Sequence, residues 1–105
     1  MKAIINGLRY DTETATLVGE ARAGCPASDF GYWEAGLYRT PRSGRYFVAG
    51  HGGPMTQFGR PAPGGGRGGG ERVTPMTKDE AFAWAQEYLN DDEIEAAFAD
   101  AIKDA

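Results

Sequence analysis

Leu37-Tyr38-Arg39-Thr40-Pro41-Arg42-Ser43-Gly44-Arg45-Tyr46-Phe47-Val48-Ala49 reads as two strands and the turn that joins them. Aromatic and apolar residues favour a pleated, half-buried surface on both arms. Between them, Pro41-Arg42-Ser43-Gly44 supplies turn chemistry, with proline to set one backbone angle and glycine to close. The first arm begins near Tyr32 and Trp33 and is weakened by Gly36. The second is expected to end abruptly at Gly50-His51-Gly52-Gly53-Pro54.

Toward the N-terminus, Lys2-Ala3-Ile4-Ile5 is a strand followed by Asn6-Gly7. That dipeptide accepts positive φ at both turn positions, so a type I′ hairpin returning through Leu8-Arg9-Tyr10 is predicted. Asp11–Thr14 is a polar turn, residues 15–22 offer a third strand, and residues 24–29 are loop.

Toward the C-terminus a short strand is expected at 55–58. Pro61-Ala62-Pro63-Gly64-Gly65-Gly66-Arg67-Gly68-Gly69-Gly70 then predicts a mobile excursion, because glycine loses the most backbone entropy on ordering. From Thr77 the period changes. Thr77 and Glu80 have the spacing of a capping box, in which each side chain satisfies the other's unpaired backbone donor. Ala81, Trp84, Ala85 and Tyr88 recur on one helical face, broadened by Phe82 and Leu89. A second helix is predicted from about Asp91, with Ile94, Ala97, Phe98, Ala101 and Ile102 on one stripe. Asp91, Asp92 and Glu93 stand at its start, where the helix dipole favours negative charge.

Strands first and helices last give an α+β fold: a small antiparallel sheet of four or five strands, with two C-terminal helices on one face. A chain of 105 residues is the commonest size for one domain. The expected division is a β-rich part over 1–60, a Gly-rich loop over 61–70 and two helices over 77–103.

Charge is unevenly spread. Residues 1–37 are net −2. Residues 38–73 carry six arginines (Arg39, Arg42, Arg45, Arg60, Arg67 and Arg72) against Glu71, and residues 74–105 carry two lysines against nine acids. The middle is therefore net +5 and the C-terminal third net −7. The N-terminal apolar run is too short for a signal peptide, and no stretch approaches the roughly 18 apolar residues of a membrane span. Cys25 is the only cysteine, so no internal disulfide can form. A cytoplasmic protein with no membrane association is expected.

Catalytic constellations are sparse. Ser28 and Ser43 are the only serines and neither occupies a nucleophile elbow. His51 is the only histidine, which excludes a His-based metal cluster, and a general base would need a nucleophile and an orienting acid beside it. Cys25 reads as a small buried hydrophobe. No phosphate loop is present. Neither cofactor nor metal is expected, and the chain reads as a protein that binds rather than catalyses.

Two surfaces are candidates for binding. Asp79, Glu80, Glu87, Asp91, Asp92, Glu93 and Glu95 give the helices an acidic face that could occupy a basic groove and displace nucleic acid from it. Tyr38, Arg39, Arg42 and Arg45 give the hairpin a second contact region, of residue types enriched at interface hot spots. Arginines interleaved with aromatics over 38–47 also allow a nucleic-acid-binding accessory role, by stacking bases and neutralising phosphates. The acidic C-terminal third weighs against direct phosphate affinity.

Three segments carry a resemblance: Tyr10-Asp11-Thr12-Glu13-Thr14-Ala15, Leu37-Tyr38-Arg39-Thr40, and Tyr46-Phe47-Val48-Ala49-Gly50-His51-Gly52-Gly53-Pro54-Met55. Taken in order, they resemble a group of short uncharacterised proteins carried by phages, plasmids and integrative elements, over nearly the whole chain. The resemblance implies a mobile-element accessory protein, and small acidic proteins of that kind include the anti-CRISPR inhibitors. On that analogy the expected function is an anti-CRISPR-type inhibitor, monomeric or weakly dimeric, that binds a CRISPR effector in the host cell. Its acidic residues would compete for the effector's basic DNA channel, so that DNA loading or cleavage is blocked.

Overall fold

The computed structural model describes all 105 residues, Met1–Ala105. Strands β1 (Lys2–Ile5) and β2 (Leu8–Asp11) form the first hairpin. Its turn residues Asn6 and Gly7 both take positive φ, at 51° and 78°, as a type I′ turn requires. Strands β3 (Thr16–Arg22), β4 (Trp33–Arg39) and β5 (Tyr46–Gly52) follow as a meander, and β8 (Gly70–Met76) pairs with the far side of β5. All pairings are antiparallel. Between β5 and β8 lie two-residue strands β6 (Arg60–Pro61) and β7 (Arg67–Gly68), paired with each other. Helices α1 (Lys78–Tyr88) and α2 (Asp91–Phe98) complete the chain, with a 3-10 turn at Ala99–Ala101.

The helices cover one face of the sheet and the N-terminal hairpin covers part of the other, and the alternation along β5 shows how. Tyr46 and Val48 point toward the helices and join Ala35, Leu37, Phe58, Ala81, Ala85, Ile94 and Phe98 in the larger core. Phe47 and Ala49 point the opposite way and meet Tyr10 of β2 in a smaller core. A central strand covered on both faces has no reason to alternate apolar with polar residues, which is why Tyr46–Ala49 is continuously buried. Phe98 stacks on Tyr46 at 5.3 Å between ring centroids and leans on Phe82 at 5.2 Å. Each fully buried side chain of this size contributes roughly 1.5–3 kcal/mol relative to exposure. Beside this core, Trp33 of β4 and Trp84 of α1 both converge on Tyr88, at 5.4 and 4.9 Å.

The architecture is the expected one, with corrections in its parts. The N-terminal hairpin is not in the main sheet; it is a separate layer on the face away from the helices. β5 does not stop at Gly50. It runs to Gly52, because at Gly50 and Gly52 a missing Cβ leaves room for Phe58 to lie across the strand. Residues 55–58 are turns rather than a strand. The fourth strand is β8 instead, which tolerates Pro75 because β8 lies at the sheet's edge. The Gly-rich tract is folded back as the β6–β7 hairpin, with Ala62 N–H donating to Gly65's neighbour Gly66 and Gly65 N–H to Ala62. Helix α2 stops at Phe98, so Ala101 and Ile102 fall off the apolar stripe and are exposed.

Candidate functional site

Of the seven acidic residues, two are committed to the helices themselves. Glu80 accepts from Thr77 N–H at 2.9 Å while Thr77 Oγ1 accepts from Glu80 N–H at 3.1 Å. The Thr77 N–H bond first, and then the Thr77 side chain, holds the Glu80 carboxyl below its ordinary range. Asn90 and Glu93 make the same reciprocal pair at the start of α2, at 2.8 and 3.3 Å. This second box was legible as Asn-x-x-Glu but was not anticipated. The other five, Asp79, Glu87, Asp91, Asp92 and Glu95, are exposed on the outer helical layer, and none is in an ion pair. The layer's one ion pair joins Lys78 to Asp100, whose carboxyl is pulled below its ordinary value chiefly by that lysine's hydrogen bond.

The hairpin residues are divided between opposite sides of the sheet. Tyr38 lies on the face away from the helices, stacked on Phe47 at 5.2 Å and 14°. Burial raises its phenol's pKa, with the nearby Glu20 charge adding to the effect. Arg39 lies on the helix side, its guanidinium 5.7 Å from the Tyr46 ring and close against Gly44. Arg42 and Arg45 project from the turn and are exposed. Tyr46 and Phe47, read as possible stacking partners for bases, are buried in the two cores. The strand period that places them at 46 and 47 sends one to each face.

The remaining arginines of the basic middle segment are tied to backbone carbonyls. Arg67 donates to Pro54 O at 3.2 Å and to Gly59 O at 2.9 Å. Arg60 donates to Glu71 O and Arg72 to Gln57 O, at 2.7 and 2.8 Å. The guanidinium fork suits this use, since it offers several donors in one plane. Basic charge that looked available along the sequence thus serves as loop bracing.

The strand register brings together residues that sequence reading did not connect. Arg22, Glu34, His51 and Glu71 stand side by side across β3, β4, β5 and β8 on the face away from the helices. Glu34 accepts from the Tyr32 hydroxyl and lies 3.3 Å from His51 Nε2. The Tyr32 bond, then the His51 bond and charge, holds the Glu34 carboxyl below its ordinary range, and the same bond raises Tyr32. Arg22, Glu34 and His51 of this row border a recess of about 240 Å³ that is also lined by Gly36, Ala49, Glu20, Tyr38 and Thr12. Its lining includes neither serine nor cysteine. Cys25 is half-buried in the loop between β3 and β4.

Two loops meet at this end of the sheet. Met55 N–H donates to Phe30 O at 3.0 Å and Gly53 N–H to Tyr32 O at 2.8 Å. The clasp leaves Phe30 and Met55 with 71% and 75% of their surface exposed. Neither was identified from sequence, because a lone Phe in a loop carries no periodic signal.

No family model matches this chain, and neither a curated protein nor a solved structure is detectably similar to it. No helix is long and apolar enough to cross a membrane.

Proposed function

We propose that this chain is a non-catalytic binding protein that docks its acidic helical layer into a basic groove on a protein partner. The observation that carries this reading is the set of five exposed carboxylates on α1 and α2 that have no cationic partner. Charge held in one layer, away from braced arginines, creates a field that steers association with a positive surface. In its sharpest form the partner is a CRISPR effector whose DNA channel is occluded, the function the mobile-element resemblance implies.

The test is capture from lysates that express effectors of several types, with a stepped salt wash. It is repeated with Asp79, Glu87, Asp91, Asp92 and Glu95 reversed to Lys. Glu80 and Glu93 are left in place, since reversing them would remove caps and confuse misfolding with lost binding. One effector should be retained by the native chain and lost on reversal. Retention unaffected by reversal would defeat the acidic-face reading.

A second reading is favoured by one specific observation. Phe30 and Met55 form an exposed apolar pair, of residue types enriched in interface cores. If Phe30→Ala abolishes capture while the five reversals do not, the loop end of the sheet is the contact surface.

A further inference from the structure

We propose that the free edge of β3 pairs with the same edge of a second copy of this chain, making an antiparallel, two-fold-symmetric dimer centred on Ala21. The two edges of the four-stranded sheet differ in how they are protected. Gly53 N–H donates to Tyr32 O, so alternation along β5 turns Tyr46, Val48 and Gly50 toward β8. On β8 that leaves Glu71, Val73 and Pro75 facing outward. Pro75 has no donor to offer there, and the Arg60 guanidinium already occupies Glu71 O at 2.7 Å. This edge is blocked in the ways natural sheets block edges.

The β3 edge has neither a proline nor an occupied outward carbonyl over Gly19–Ala23, and its one irregularity, a bulge between Leu17 and Gly19, lies before that segment. Ala23 N–H donates to Trp33 O at 2.9 Å, so Ala23 and Ala21 face β4 while Glu20 and Arg22 turn their N–H and C=O groups outward. Neither β3 nor the residues that follow it to Gly24 include a proline. An open groove runs along the strand from Leu17 to Arg22. Glu20 and Arg22 are exposed, share the face away from the helices, and neither is in an ion pair.

What singles out a second copy as the occupant is that this edge complements itself. With Ala21 facing Ala21 across the axis, Glu20 of each copy stands opposite Arg22 of the other. Those two pairs are the ones whose backbone groups point outward, so each would exchange N–H···O=C bonds and also match charge. Gly19 then faces Ala23, so the two strands themselves bring only small residues to the helix side, where Leu89 and Glu93 of the same chain lie over Gly19. The nearest acid on that side is Glu93, beside Gly19. Gly19 and its symmetry mate are separated by four residues along the pair, about 13 Å, which exceeds the roughly 8 Å screening length at physiological ionic strength. Because Glu20 and Arg22 also line the recess, the two recesses would meet across the axis and share these four side chains.

The test is sedimentation equilibrium from about 10 μM to about 1 mM chain, with far-ultraviolet circular dichroism to confirm the fold of each variant. The native chain should show a concentration-dependent monomer–dimer equilibrium. Glu20→Arg sets like charges opposite each other twice, and so does Arg22→Glu; each should weaken association by about tenfold or more. The double variant Glu20→Arg/Arg22→Glu restores both pairs and should restore the dimer. Glu20→Pro removes an outward N–H that has no partner within the sheet, and should leave a folded monomer. A native chain that stays monomeric at the highest concentration overturns the proposal. So does a dimer that survives Glu20→Arg or Glu20→Pro, or a double variant that stays as weak as the single ones.

Discussion

Glu34, Glu80 and Asp100 all hold their carboxyls below the ordinary range, each through a specific hydrogen bond: from Tyr32, from Thr77 and from Lys78. A value lowered by folding means that the unfolded chain takes up protons first. The stability these bonds contribute is therefore fully present above the unfolded carboxylate range, roughly pH 4, and lost as pH falls through the lowered values. Thermal melts should give a flat Tm through the neutral range and a decline below about pH 4. Glu34→Gln should make that decline shallower, since one of the three groups no longer titrates. At Gly50, an added Cβ would lie 2.5 Å from the Phe58 ring, 2.7 Å from Glu34 O and 2.8 Å from the Ala35 methyl. Gly50→Ala should cost about 1–3 kcal/mol by overpacking, seen as a lower denaturant midpoint. Glycine here was read from sequence only as the end of a strand. The opposing Phe58 comes from a loop eight residues on, and nothing local in the sequence announces that approach.

At the scale of elements, the two capping boxes should be separable. Thr77→Ala and Asn90→Ala should each cost about 1 kcal/mol, measured by denaturant unfolding, and the losses should be close to additive if neither box supports the other. The first box was legible because threonine and glutamate in that spacing precede an apolar run. The second was obscured by the cluster of acids that follows Asn90, which draws attention to the helix dipole instead. β8 was missed for a related reason. Residues 71–76 follow directly on a glycine tract that reads as a mobile excursion and they include Pro75, and only the pairing with β5 shows that the proline sits where its missing donor is harmless. The same blindness applies to Arg67, which between glycines reads as solvent-facing charge. Arg67→Ala should free the carbonyls of Pro54 and Gly59 and speed amide exchange across residues 53–68, with little change in global stability.

At the scale of the whole molecule, one sheet carries two cores of unequal size. Phe98→Ala removes a fully buried ring from the larger one and should cost about 3–5 kcal/mol, a large share of the roughly 5–15 kcal/mol typical of a native domain. Tyr10→Ala strikes only the smaller core, where β1 and β2 lie against Phe47. It should release the N-terminal hairpin, seen as lost amide protection over residues 2–11, while the rest of the sheet stays protected. The order of strands and helices and the single-face packing of the helices were readable from period and capping. Which charges remain free was not, because that depends on register and on which carbonyls each guanidinium can reach.

The convergence of Trp33 and Trp84 on Tyr88 gives the chain a built-in optical reporter. Both indoles lie where α1 meets the sheet, and neither the N-terminal hairpin nor α2 contains one. A red shift in intrinsic emission would thus mark the lifting of α1 alone. Release of the hairpin, which carries Tyr10 but no indole, would leave tryptophan emission unchanged, so amide exchange over residues 2–11 can time it apart from the lifting of α1 in one unlabelled sample.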